Sequence, residues 1–206
     1  DGHEHYLTAE DEETVIFSTV LTAADLKPQY GKVTLKEGTY VLGEDLSMGN
    51  VSMLSIEGKV TLCLAGHDLD MGNHYIMFSG NGSTLQICDC AKEEKGQILT
   101  TSSTGAVLIN GNHTLELYRV SIIGTSYGIN SQGGTVKIYD STISVENMGE
   151  RNSAYAILAS GGSIVVENSL LTAQAGSAAF PINAMGKSVI ELKDSTFQAK
   201  AGGNAF

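Results

Sequence analysis

The chain has 206 residues, 42% hydrophobic and 17% charged, which suits one domain with a real core and excludes a disordered segment. Its formal net charge of −11 repels phosphate backbones, so nucleic acid is not expected as a partner. No run of about 18 apolar residues occurs, and no membrane span is predicted.

In chain order, residues 1–29 come first and carry seven of the acids against one base, Lys27. The opening Asp1-Gly2, with no Met and no signal-like apolar stretch, is what a processed or excised piece would show. Thr8-Ala9-Glu10-Asp11 reads as a capping-box start, with Val15, Ile16, Phe17, Val20 and Leu21 following. This segment is expected to cap the solenoid that follows, because the end of a strand stack exposes backbone that must be covered.

From residue 30 onward the informative feature is a repeat. Six segments superimpose without gaps, starting at Leu62, Leu85, Leu115, Val136, Ile164 and Ile190, and spaced by 23, 30, 21, 28 and 26 residues. Val33-Thr34-Leu35, with Tyr40 behind it, is a weaker copy. Each segment alternates apolar and variable residues, as a short strand with one buried face does. A polar pair such as Asp140-Ser141, Asn168-Ser169 or Asp194-Ser195 follows, then a second strand with Ile122, Ile143, Leu171 or Phe197. Upstream lies a third apolar piece, for example Tyr127-Gly128-Ile129 or Tyr155-Ala156-Ile157-Leu158, closed by Gly133-Gly134 or Gly161-Gly162. Three short strands per unit of 20-odd residues, with no helix, describe one coil of a parallel β-helix. The reading is therefore an all-β, right-handed parallel β-helix of about six to seven coils over residues 30–206. A β-propeller needs a period near 40 residues, and a leucine-rich repeat needs a fixed Asn or Cys in a leucine frame. The last residues, 201–206, begin a further unit; continuation in a parent chain and self-association through an open C-terminal coil are both expectations.

In that register, Val60-Thr61-Leu62-Cys63-Leu64-Ala65-Gly66-His67-Asp68-Leu69 and Leu85-Gln86-Ile87-Cys88-Asp89-Cys90 carry a CLxGHxL…LxLCDC pattern. This resembles the pectate-lyase-like right-handed β-helix regions of large surface proteins from Gram-positive anaerobes. The leading Gly38-Thr39-Tyr40-Val41-Leu42-Gly43-Glu44-Asp45-Leu46 is similar to the segment that precedes the pattern there. The resemblance implies an extracellular, adhesin-like module of a longer chain. It implies no catalytic residue.

Three constellations are candidates for chemistry. In the gapless register Cys90 lies one coil from His67, and Cys63 stacks over Gln86, two positions from Cys88. Cys63, His67, Cys88 and Cys90 are thus candidates for a zinc site, for a disulfide from Cys63 to Cys88 or Cys90 across a diagonal of about 7–8 Å, or for small packed hydrophobes. The second constellation is the turn column Asp89, Arg119, Asp140, Asn168, Asp194. With Asp140 and Asp194 two coils apart and Arg119 as the base, it suits a polysaccharide lyase, a glycoside hydrolase or a calcium-binding acid cluster. Asx and Ser residues also recur at turns for purely local reasons. The third is the outward row containing Tyr118 and Tyr139, a platform for a sugar ring or a partner's apolar patch.

The functional expectation is a non-enzymatic, extracellular stalk or adhesive surface that binds a glycan or a host or cell-surface protein and needs no cofactor. The alternative is a polysaccharide-cleaving enzyme working at Asp140, Asp194 and Arg119. Residues 91–104 and 145–154, where extra chain is inserted, are expected to supply a recognition loop.

Overall fold

The computed structural model describes residues 18–49, 51–92, 94–202 and 204–205. It is all-β, with parallel strands stacked as a β-solenoid of about seven turns. Three faces can be followed round one coil. The strand Thr114–Tyr118 lies on the first face, Ser121–Gly124 on the second, Tyr127–Gln132 on the third, and Thr135–Tyr139 returns to the first, one coil on. The second face is a separate seven-stranded sheet with one strand per coil. The first and third faces join into a larger sheet, because strands such as Ser153–Glu167 run through the bend between them.

The predicted alternation sets the inside. Leu117, Ile138 and Val166 stand in register on adjacent coils and are fully buried. Beside them run Leu115, Val136 and Ile164. Ile122, Ile143 and Leu171 line the second face, and Val107, Ile129 and Ile157 the third. Each such side chain contributes about 1.5–3 kcal/mol on leaving water, and its contacts come largely from the coils above and below. Leu192, next in the first column, is 49% exposed. The coil beyond it is represented among the described residues only by Asn204–Ala205.

Two registers differ from the gapless alignment. Val60, not Leu62, stands beside Leu85, so Cys63 lies opposite Cys88 and Gln86 opposite Thr61. One coil earlier, Tyr40, not Val33, stands beside Leu62, while Val33 pairs with Leu54 on the third face. The shift in the second coil is two residues. An even shift keeps every side chain on its own side of the sheet, so alternation cannot detect it. Register is set instead at the corners: a shift between Glu57 and Lys59 accommodates the longer bend between Ser79 and Thr84.

The capping motif at Thr8 and the residues before 18 lie outside the described residues. Thr19–Leu21 runs parallel to Gly38–Leu42 at the sheet's first edge, with Leu21 buried. Among the described residues no helix is long and apolar enough to cross a membrane.

The bend between the third and first faces requires glycine. Gly162 has φ +83°, and a Cβ there would sit 2.2 Å from the Gly134 carbonyl oxygen one coil away. Gly161 has the same φ, but nothing lies within 4 Å of its Cβ direction. Gly161→Ala is therefore expected to cost about 1 kcal/mol through backbone strain alone. Gly162→Ala is expected to cost roughly 2–4 kcal/mol because strain and clash combine. Equal losses for the two in denaturant unfolding would show that the coils do not meet at this bend.

Candidate functional site

The corner between the first and second faces holds most of the residues singled out in the sequence. Arg119, Asp140, Asn168 and Asp194 all adopt left-handed backbone, with φ of 59°, 50°, 50° and 48°. This turns the chain from one face to the next, and Asx residues tolerate that conformation better than most. Their backbone N–H groups bridge coils: Asp140 N donates to the Glu167 carbonyl at 3.2 Å, and Asn168 N to the Lys193 carbonyl at 3.1 Å. Among the described residues Arg119 forms no ion pair with Asp89 or Asp140; its Nη2 donates to the Ala91 carbonyl at 2.9 Å.

Behind the turn lies a serine ladder. Val120 N donates to Ser141 Oγ at 3.0 Å, Ser141 N to Ser169 Oγ at 3.1 Å, and Ser169 N to Ser195 Oγ at 3.1 Å. Each hydroxyl donates in turn to the carbonyl two residues before it. The serines therefore satisfy buried backbone amides that the bend takes out of the sheet. Asp140 and Asp194 are exposed beside this ladder.

Asp89 is different. It is 2% exposed, and its carboxylate accepts three backbone N–H groups: Gly66 at 3.1 Å, Ala91 at 2.8 Å and Gly96 at 2.6 Å. It gathers the inserted chain after residue 90 onto the corner. Gln97 N, donating to Asp68 Oδ1 at 2.9 Å, holds the far end of that insertion. This part of the expected recognition loop is thus pinned to the coil beneath.

The cysteines converge. Cys63 and Cys88 are directly paired in the ladder, and Cys63 Sγ lies 3.0 Å from Cys90 Sγ. Cys63 is 1% exposed although it belongs to the outward row; Cys88 is half-buried and Cys90 exposed. The hydrogen bond to Cys88, then burial, holds the Cys63 thiol above its ordinary range, and the same hydrogen bond draws the Cys88 thiol down. Burial, then Cys63, pushes Cys90 up to about 12. His67 is engaged with Asp45, its Nδ1 3.3 Å from the carboxylate. Among the described residues no three His, Cys, Asp or Glu side chains are grouped to hold a metal ion.

On the outward row of the first face, Tyr118 and Tyr139 stack with ring centroids 5.0 Å apart and planes at 14°. Lys137 Nζ donates to Glu116 Oε1 at 2.9 Å beside them. Burial and the Glu116 carboxylate push the Tyr118 phenol up to about 12.

Two surfaces escaped the sequence reading. Tyr127, Tyr155 and Phe180 form a second aromatic stack on the third face, at 5.1 Å and 5.0 Å. On the second face, a shallow groove of about 250 Å³ is lined by Ser144, Glu146, Thr172, Gln174, Gln198 and Lys200. Thr172 Oγ1 donates to Ser144 Oγ at 2.9 Å, and Gln174 Nε2 lies 3.4 Å from Met148 Sδ, which places the 145–154 insertion at the rim. The available signal was the run of polar residues at outward positions of three successive coils. Comparison of the chain with protein-family models, curated proteins and solved structures finds no match.

If the turn column is structural, its serines and carboxylates respond differently to substitution. Ser141→Ala strands the buried Val120 amide and is expected to cost about 1–3 kcal/mol. Asp140→Asn keeps an Asx side chain in a left-handed turn and is expected to stay within about 0.5 kcal/mol of wild type. Urea unfolding of both variants measures the contrast, and a reversed order would contradict this account of the corner.

Proposed function

We propose that the chain is a non-enzymatic, extracellular adhesin-like or stalk module that binds carbohydrate along the flank of the solenoid. The observation that carries this reading is the groove on the second face. Hydroxyls from Ser144 and Thr172, amides from Gln174 and Gln198, and opposite charges on Glu146 and Lys200 line it over three coils. Such a set offers donors and acceptors at a regular rise of about 4.8 Å. The groove is smaller and shallower than the roughly 300–1,000 Å³ pockets that enclose drug-sized ligands. That shape suits a sugar unit of a longer chain lying on the surface.

Met148, 54% exposed at the rim, supplies the apolar contact that a sugar's C–H face takes. The Tyr118–Tyr139 stack gives a second contact surface, for glycan or for a protein partner. Extracellular placement rests on the resemblance to the pectate-lyase-like β-helix regions of surface proteins. The net charge of −11 supports a partner other than nucleic acid. Against catalysis weighs the duty of the turn column, whose exposed carboxylates sit at strained bends with Arg119 directed to the Ala91 carbonyl.

A glycan array followed by titration calorimetry tests the proposal. Binding of a neutral or weakly charged glycan is expected, and Gln174→Ala combined with Gln198→Ala should weaken it at least about tenfold, as the loss of two hydrogen bonds implies. Turnover of pectin, xylan or mucin that disappears in Asp140→Asn would replace the binding reading with the enzymatic one. Glycan binding unchanged by the groove variant but lost in Tyr118→Ala would move the site to the first face.

A further inference from the structure

The three cysteines of the chain meet at one corner, Cys63 from one coil and Cys88 and Cys90 from the next. Cys63 is at the centre, paired in the ladder with Cys88 and 3.0 Å by sulfur from Cys90. Two thiolates at about 2.3 Å from one tetrahedral zinc lie roughly 3.8 Å apart. The Cys63–Cys90 pair is closer than that, in the direction of a covalent bond. We infer that the corner is a disulfide-exchange site, in which Cys63–Cys90 is the stable cross-link and Cys88 is the thiol through which an external small-molecule disulfide reacts.

The Cys88 thiolate attacks one sulfur of R–S–S–R, forming Cys88–S–S–R and releasing RS⁻, which takes the proton Cys88 lost. Cys63, beside Cys88 in the ladder, then attacks Cys88 Sγ and expels the second RS⁻, which takes the Cys63 proton. Cys90 attacks Cys63 Sγ, moving the bond to Cys63–Cys90 and returning Cys88 as a thiol with the Cys90 proton. Two protein thiols are oxidised by two electrons, and one external disulfide is reduced to two thiols.

The order of events follows from the surroundings of each sulfur. Cys63 is buried and meets no reagent directly, yet it lies within hydrogen-bond distance of Cys90 and directly opposite Cys88 in the ladder. Cys88 is half-buried, so a small reagent reaches it, and it stands directly opposite Cys63 in the ladder, which sets its mixed disulfide beside the thiol that resolves it; the Cys63 hydrogen bond also favours its thiolate. Cys90 is exposed but holds its proton to about 12, so it resolves rather than initiates. The finished bond spans 27 residues and ties the second coil to the loop that Asp89 already gathers.

The test uses the reduced full chain and oxidised glutathione, with alkylation as the quench and cleavage at Asp89 to separate Cys88 from Cys90. The expected product has lost two hydrogens, links the Cys63 and Cys90 peptides, and carries the alkyl group on Cys88. Its Tm is higher than that of the reduced chain, because the cross-link restricts the unfolded state. Cys88→Ser should give the same linkage at least about tenfold more slowly at neutral pH, and Cys90→Ser should stop at a Cys63–Cys88 bond. Formation should accelerate with rising pH, as more of the resolving thiols ionise. A wild-type product linked Cys63–Cys88 or Cys88–Cys90, a persistent glutathione adduct on Cys90, no oxidation at all, or an unchanged rate in Cys88→Ser would each overturn the inference. The wild-type map does not depend on whether any variant folds, and none of these results bears on glycan binding.

Discussion

Coil-on-coil stacking of aliphatic side chains is the constraint from which the other features follow. Leu117 fills space between its counterparts on neighbouring coils, as do Ile138 and Val166, and none has a sufficient set of partners within its own coil. A single coil has one row of inward residues and no interior, so its strands are stable only as members of the stack. Because the inside repeats at the strand spacing, the outside must repeat too. Outward residues therefore meet their counterparts in rows: Tyr118 with Tyr139, Glu116 with Lys137, Ser144 with Thr172, and Tyr127 with Tyr155. The surface chemistry of this protein is a by-product of its core geometry.

The same logic separates residues that hold the solenoid together from those available to a ligand. At the corner after the first face, the chain must bend through a left-handed residue, and the bend leaves amides without sheet partners. Ser141, Ser169 and Ser195 satisfy those amides, each reaching to the neighbouring coil. Asp89 performs a related task on a larger scale, collecting three amides of an insertion. These side chains are committed to the backbone. The groove residues differ because they stand on regular strands, not at a bend, which leaves their hydroxyls, amides and charges directed outward.

Much of the fold was legible in the sequence, because period-2 alternation repeated at intervals of 20-odd residues admits few architectures. The cysteine corner was legible only in outline. Composition and parity place Cys63 and Cys88 on the outward side, but parity is blind to an even slip, and the gapless alignment set Cys63 against Gln86. What decides the register is the number of residues spent at the bends near Gly58 and Gly82, which carry no periodicity. The Cys63–Cys90 contact also depends on the path of the chain after Asp89, a loop property that alternation does not encode. The groove escaped for another reason. Ser, Thr, Gln, Glu and Lys at outward positions are what any soluble strand carries, and only the alignment of three coils turns them into one surface.

The most direct measurement of the central claim is a double-mutant cycle between Leu117 and Ile138, with Leu117 and Ile98 as the control pair on different faces. Each single alanine substitution removes buried volume, so both should destabilise by about 2–5 kcal/mol. If the two side chains are stacked, the double variant should depart from additivity by at least about 0.5 kcal/mol, and by more than the control pair does. Strict additivity for Leu117 and Ile138 would mean that they do not touch, and the stacked columns on which every outward row depends would not exist.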